Sequence, residues 1–150
     1  MEKMLEFVSF ILVLVCVISC GAAGTHNVGG DLGWTVPRGG EADYQKWAAN
    51  QTFKSGDTLV FTWTGMHTVA NVSKEDFEKC TTRNDVQSKS PVSISISGTG
   101  PHYFICTIGK HCSLGQKLNV TAEMSAAASA LATNALLSAF FMILSIAITM

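Results

Sequence analysis

The segment Tyr103-Phe104-Ile105-Cys106-Thr107-Ile108-Gly109-Lys110-His111-Cys112-Ser113-Leu114-Gly115-Gln116-Lys117-Leu118 decides how this chain is read. Between Cys106 and Gln116 it sets a thiol, an imidazole, a second thiol and an amide within eleven positions. Gly109 and Gly115 let the backbone turn, so the stretch reads as a loop leaving a strand that ends at Cys106. Beyond the loop, Leu118 and Val120 alternate with Lys117, Asn119 and Thr121. Period two marks a half-buried strand over 117–122.

The same period recurs upstream. Leu59, Phe61 and Trp63 share one face of a strand over 57–63, with Thr58 and Thr62 on the other. Ile94 and Ile96 alternate with serines over 93–97. Val69 and Val72 predict a strand after His67, bulged because their spacing is odd. Ser55-Gly56-Asp57 and Gly98-Thr99-Gly100-Pro101 punctuate these runs as turns. Two short helices are expected, one over 41–49 and one starting at Ser73. There, Ser73 and Asp76 make a capping-box pattern running toward Cys80. Short strands with few helical periods specify an all-β sandwich or barrel.

Both ends of the 150-residue chain are apolar. Lys3, the uncharged run 7–20 and the small residues Gly21 to Gly24 have the layout of a secretory signal peptide, 1–24. An uncleaved anchor helix is the alternative. At the other end, Ser125-Ala126-Ala127 is a triplet of small residues. A spacer (125–134) and an uncharged tail (135–150) follow. These are the parts of a GPI-attachment signal with Ser125 as the attachment candidate. A spanning helix is the alternative there, although the run is shorter than the ~20 residues one needs. Either reading tethers a single domain of residues 25–124 to a membrane, at the outer face of the plasma membrane or in the wall space. The formal charge is −1 with Lys and Arg scattered, which excludes the basic stripe of a nucleic-acid binder.

Of five cysteines, Cys16 and Cys20 leave with the signal peptide, and Cys80, Cys106 and Cys112 remain. A secreted domain permits disulfides, and an odd count leaves one thiol over. A strand-end thiolate with two imidazoles, His67 being the second, makes a His₂Cys set. With a weak axial Met or Gln, that set defines a blue-copper site. Zinc prefers four strong donors, and iron–sulfur clusters need more thiolates. Taken singly, His67 also reads as a surface or core histidine, and Cys106 as a buried inert thiol. A Cys106–Cys112 pairing that leaves Cys80 free is open too.

The whole domain closely resembles the phytocyanins, plant blue-copper proteins, and among them the stellacyanin-like subclass. The resemblance is carried by Val28-Gly29-Gly30, Gly33-Trp34, Trp47-Ala48, Gly56-Asp57, Leu59-x-Phe61, His67-x-Val69, Cys80, Tyr103-Phe104-Ile105-Cys106, His111-Cys112 and Gly115-Gln116-Lys117-Leu118. It implies a cupredoxin-type Greek-key β-sandwich. It also implies one copper ion held by His67, Cys106 and His111 with Gln116 axial, and a Cys80–Cys112 disulfide. His102 and His26 receive no role.

Three glycosylation sequons begin at Asn50, Asn71 and Asn119. The expected function is single-electron transfer by a monomer, with a redox partner the residues do not name. The alternative is a membrane-anchored copper-binding glycoprotein with a structural or signalling role. An oxidase is disfavoured, since the ligand set leaves no evident position for substrate, so no enzyme activity is expected.

Overall fold

The computed structural model describes residues 22–125. The core of the expected signal peptide, nearly all of the spacer and the apolar tail lie outside the described residues. Residues Ala23–Glu123 form one compact unit. Of the separate unit formed by the flanking residues, only Ala22, Met124 and Ser125 are described. The hydrogen-bonded frame already includes Gly24, whose carbonyl accepts the N–H of Thr58 at 2.8 Å. That is one residue before the expected start of the domain.

Among the described residues, seven strands form two sheets. In chain order they are β1 (Thr25–Asn27), β2 (Phe53–Lys54), β3 (Thr58–Phe61), β4 (Ala70–Val72), β5 (Val92–Ser95), β6 (Gly100–Ile105) and β7 (Lys117–Glu123). One sheet has the order β1-β3-β5 and the other β2-β7-β6-β4. The β1–β3 and β2–β7 pairs are parallel, and the remaining pairs are antiparallel.

The two-residue alternation explains which side chains meet. Leu59 and Phe61 of β3 and Leu118, Val120 and Ala122 of β7 all join the main core, as do Ile96 and Phe104. The aromatic rings continue it as a chain. Tyr44 lies 5.1 Å from Trp34, Trp34 5.0 Å from Phe61, and Phe61 5.3 Å from Phe104, centroid to centroid. Offset and edge-on contacts of this kind add to the area such large rings bury.

Tyr44 comes from α1 (Glu41–Ala49), the first of the two expected helices. Its hydroxyl donates to the carbonyl of Thr35 at 2.7 Å and accepts the N–H of Thr35 at 2.8 Å. Burial pushes the phenol far above its ordinary pKa, so it stays a neutral partner.

The second helix, α2 (Lys74–Lys79), starts as its cap predicts. Ser73 Oγ accepts the N–H of Asp76 at 3.1 Å and donates to the Asp76 carboxylate at 3.0 Å. It covers the outer face of the second sheet, where Phe77 packs with Ala70, Val72, Ile105 and Cys112 in a second cluster.

That second cluster corrects one expectation. The register Ala70↔Ile105, Asn71↔Phe104, Val72↔Tyr103 runs through β4 without an extra residue, so no bulge breaks the strand. Val69 faces the main core and Val72 the second cluster. The odd spacing arises because Val69 precedes β4 and turns to the opposite side from Ala70 and Val72.

Candidate metal centre

The strand registers place the candidate ligands together. Residues paired between β4 and β6 sum to 175 (70 + 105), so one step past Val69 sets Thr68 opposite Thr107, with His67 and Cys106 beside them. Between β6 and β7 the sum is 222 (105 + 117), which sets Gln116 opposite Cys106. The Cys106 N–H indeed donates to the Gln116 carbonyl at 3.0 Å. One end of the sandwich therefore collects His67, Cys106, His111 and Gln116 from three chain segments.

The donor atoms of His67, Cys106 and His111 all lie within 4.8 Å of one another. Cys106 Sγ is 3.6 Å from His111 Nδ1, and Gln116 Oε1 is 3.0 Å from His67 Nδ1. The two imidazole centroids are 4.9 Å apart. Cys106 is 1% exposed and Gln116 0%, whereas both histidines are half-buried. The thiol is therefore shut from water, and the imidazoles form the boundary with solvent.

The loop that carries His111 is held at several points. His111 N–H donates to the Ile108 carbonyl and Gln116 N–H to the His111 carbonyl, each at 2.9 Å. Gly115 meets the start of α1 so closely that a Cβ there would sit 2.3 Å from the Glu41 nitrogen. Its φ of +100° also suits glycine alone. Beyond it, Lys117 Nζ pairs with Glu41 at 3.2 Å.

Cys112 is bonded to Cys80, with Cα atoms 5.7 Å apart, and Cys106 is the free thiol among the described residues. The Cys106–Cys112 alternative is thereby excluded. Cys80 caps α2 at a left-handed φ of 53°, a position glycine usually fills, so the bridge ties the ligand loop to a helix end.

Three supporting residues escape sequence reading. Thr68 Oγ1 accepts the N–H of Thr107 at 2.9 Å, lies 2.8 Å from Thr107 Oγ1 and 3.7 Å from Cys106 Sγ. Trp34, fully buried, donates its indole N–H to the Thr68 carbonyl at 2.8 Å. The only available signal for Thr68 is its place beside His67. His102 stands apart from the three-residue group, on β6 opposite Val120.

The donor set fits a single soft-to-borderline ion. Bond lengths of about 2.0–2.3 Å to nitrogen and sulfur put trigonal donors roughly 3.6–3.8 Å apart, close to the Cys106–His111 separation. The fourth donor is an amide. Burying it is costly, and its Oε1, 3.0 Å from His67 Nδ1, faces the candidate ligand set. Two imidazoles, one thiolate and a weak amide oxygen match copper rather than zinc.

Comparison with known proteins agrees. Residues 34–116 match the family model described as a plastocyanin-like domain. The chain belongs to the plastocyanin-like family. Stellacyanin of Toxicodendron vernicifluum is 37% identical over 99 residues, covering 63% of this chain and 92% of that protein. A blue copper protein of Arabidopsis thaliana is 43% identical over 113 residues, 73% of this chain but 57% of that protein. This chain thus spans little more than half of that relative's length. The solved structure of cucumber stellacyanin with Cu2+ at pH 7.0 superposes with a TM-score of 0.63 at 39% identity. The superposition covers 69% of this chain and 98% of that one. The phytocyanin resemblance and the cupredoxin-type sandwich both stand.

Proposed function

We propose that this plastocyanin-like chain carries single electrons, and that His67, Cys106 and His111 would hold one copper ion with Gln116 as a weaker fourth donor. The observation that carries the reading is the convergence of three donor atoms within 4.8 Å around a buried free thiol. Copper bound there supplies the Cu(II)/Cu(I) couple. The protein contributes a fixed cage. Thr68 and Trp34 hold one arm, and Gly115 and the Cys80–Cys112 bridge hold the other, so the ligands need move little when the charge changes. Cys106 is kept from solvent, and the half-buried rings of His67 and His111 are the edge at which an electron enters or leaves. The burial of the Cys106 thiol and the Gln116 amide supports the reading of the chain as a carrier.

The apolar ends support a place at the outer cell surface through a GPI anchor near Ser125. Asn50, Asn71 and Asn119 are all exposed, which supports their use as glycan acceptors. Stopped-flow reduction of the copper-loaded protein tests the carrier reading. Uptake of one electron per chain, with rapid return to an oxidant and no product formed from the donor beyond its oxidation, is expected. Catalytic turnover of a substrate with dioxygen would overturn it. Release from cells by a GPI-specific phospholipase tests the anchor, and recovery of a peptide from 136–150 in surface protein would contradict it.

A further inference from the structure

Asp57 is 3% exposed at the entry to β3. Its Oδ1 accepts the backbone N–H of Gly24 at 2.6 Å. Its Oδ2 accepts the N–H of Lys54 at 2.9 Å and lies 3.0 Å from His26 Nε2. His26 is the titratable side chain that reaches this carboxylate, and its ring also packs on Phe53 at 4.7 Å. Lys54 offers only its backbone, its side chain being exposed. Burial pushes the Asp57 pKa up, but the bonds from His26, Gly24 and Lys54 outweigh it, and the carboxyl lies below its ordinary value. The group is therefore a buried anion, and such a charge calls for a counter-charge.

Residue 24 is fitted to this carboxylate. A Cβ there would stand 3.2 Å from Asp57 Oδ1 and 3.3 Å from His26 Nε2, closer than ordinary contact. Ala22 and Ala23, by contrast, are exposed. The sequence Gly21-Ala22-Ala23 supplies small residues, Ala23 and Gly21, at the first and third positions before a secretory cut after Ala23.

We infer that the leader is cut between Ala23 and Gly24, and that the new α-ammonium of Gly24 seats on Asp57 as an ion pair. This rests on the secretory reading. Water crosses the Ala23–Gly24 peptide bond in the hydrolysis catalysed by a leader peptidase. The hydroxyl goes to the Ala23 carbonyl carbon and a proton to the Gly24 nitrogen, which takes one more proton from solvent. A hydrogen bond from a neutral amide to the Asp57 carboxylate becomes one between two opposite charges, which is stronger. Processing thus adds a second charge to a contact the domain already makes. Sign follows from linkage: pairing raises the α-amino pKa above its ordinary range of about 7.7–8.0. The added stability is present below that range and is lost as pH climbs through the raised value.

Mass spectrometry of the N-terminal peptide from surface-isolated protein, expressed as the full chain, tests the cut. A terminus at Gly24 is expected. A terminus at Ala22, Ala23, Thr25 or His26 overturns the inference and leaves a cleaved leader standing, whereas one at Met1 overturns cleavage itself and supports the uncleaved anchor helix. Amine labelling against pH then tests the pair on the same material, native and denatured. The native rate profile should be displaced to higher pH, each unit making the reactive free amine about tenfold scarcer. Asp57→Asn should return the profile to the denatured position. An unshifted or lowered native midpoint overturns the ion pair even if that variant does not accumulate.

Discussion

The hydroxyl of Thr68 accepts the backbone N–H of Thr107 at 2.9 Å, tying the residue after His67 to the residue after Cys106. Two of the proposed ligands, far apart in sequence, are thereby set by one hydroxyl, which also lies 3.7 Å from Cys106 Sγ. Hydrogen bonding and polarity around that sulfur tune a blue-copper potential.

Thr68→Val keeps the shape and removes the hydroxyl. It leaves the half-buried Thr107 N–H without its partner, a cost of at most about 1–3 kcal/mol. Thermal unfolding should show that loss, and the visible band and potential of the copper-loaded protein should shift. Thr68→Ser should restore both. An unchanged potential in the valine variant would confine Thr68 to a packing role.

Much of this site is legible along the chain because three of its donors share one loop. Cys106, His111 and Gln116 need only glycine turns to converge, and the odd thiol singles out a ligand. His67 is harder, since only the β4–β6 register brings it to Cys106. The roles of Thr68 and Trp34 are not legible, although Trp34 is part of the family resemblance and Thr68 adjoins His67. A threonine beside a strand reads as a β-former, and the indole bond crosses 34 positions of sequence. Val69 and Val72 suggest a bulge because alternation presumes one buried face, whereas Val69, just before β4, is buried in the main core and Val72 in the second cluster. His26 looked idle for a similar reason, because its partner Asp57 lies 31 residues away.

Gln116→Met exchanges a hard amide oxygen for a softer thioether. Cu(II) is the harder of the two oxidation states, so the native residue should hold the potential low. Voltammetry at one pH should show a rise in the methionine variant, with every 59 mV a tenfold change in the one-electron equilibrium. A lowered or unmoved potential with the colour retained would take Gln116 off the ligand list.

The Cys80–Cys112 bridge closes a loop with a sequence separation of 32. The chain-entropy model gives it about 3–4 kcal/mol. Replacing both cysteines by alanine should lower the denaturant midpoint accordingly. It should also broaden the visible band, since His111 loses its anchored neighbour. A stable variant with an unaltered spectrum would show that the Gly115–α1 contact alone fixes the loop.

The central claim is that Cys106, with His67 and His111, holds copper through its thiolate. Its most direct test is the visible absorption spectrum of the purified protein titrated with Cu(II), alongside Cys106→Ser and His102→Ala. Wild type and His102→Ala should bind one equivalent and develop an intense thiolate-to-copper band. Cys106→Ser should develop none. Colour that survives in Cys106→Ser, or never appears in the wild type, would contradict the assignment.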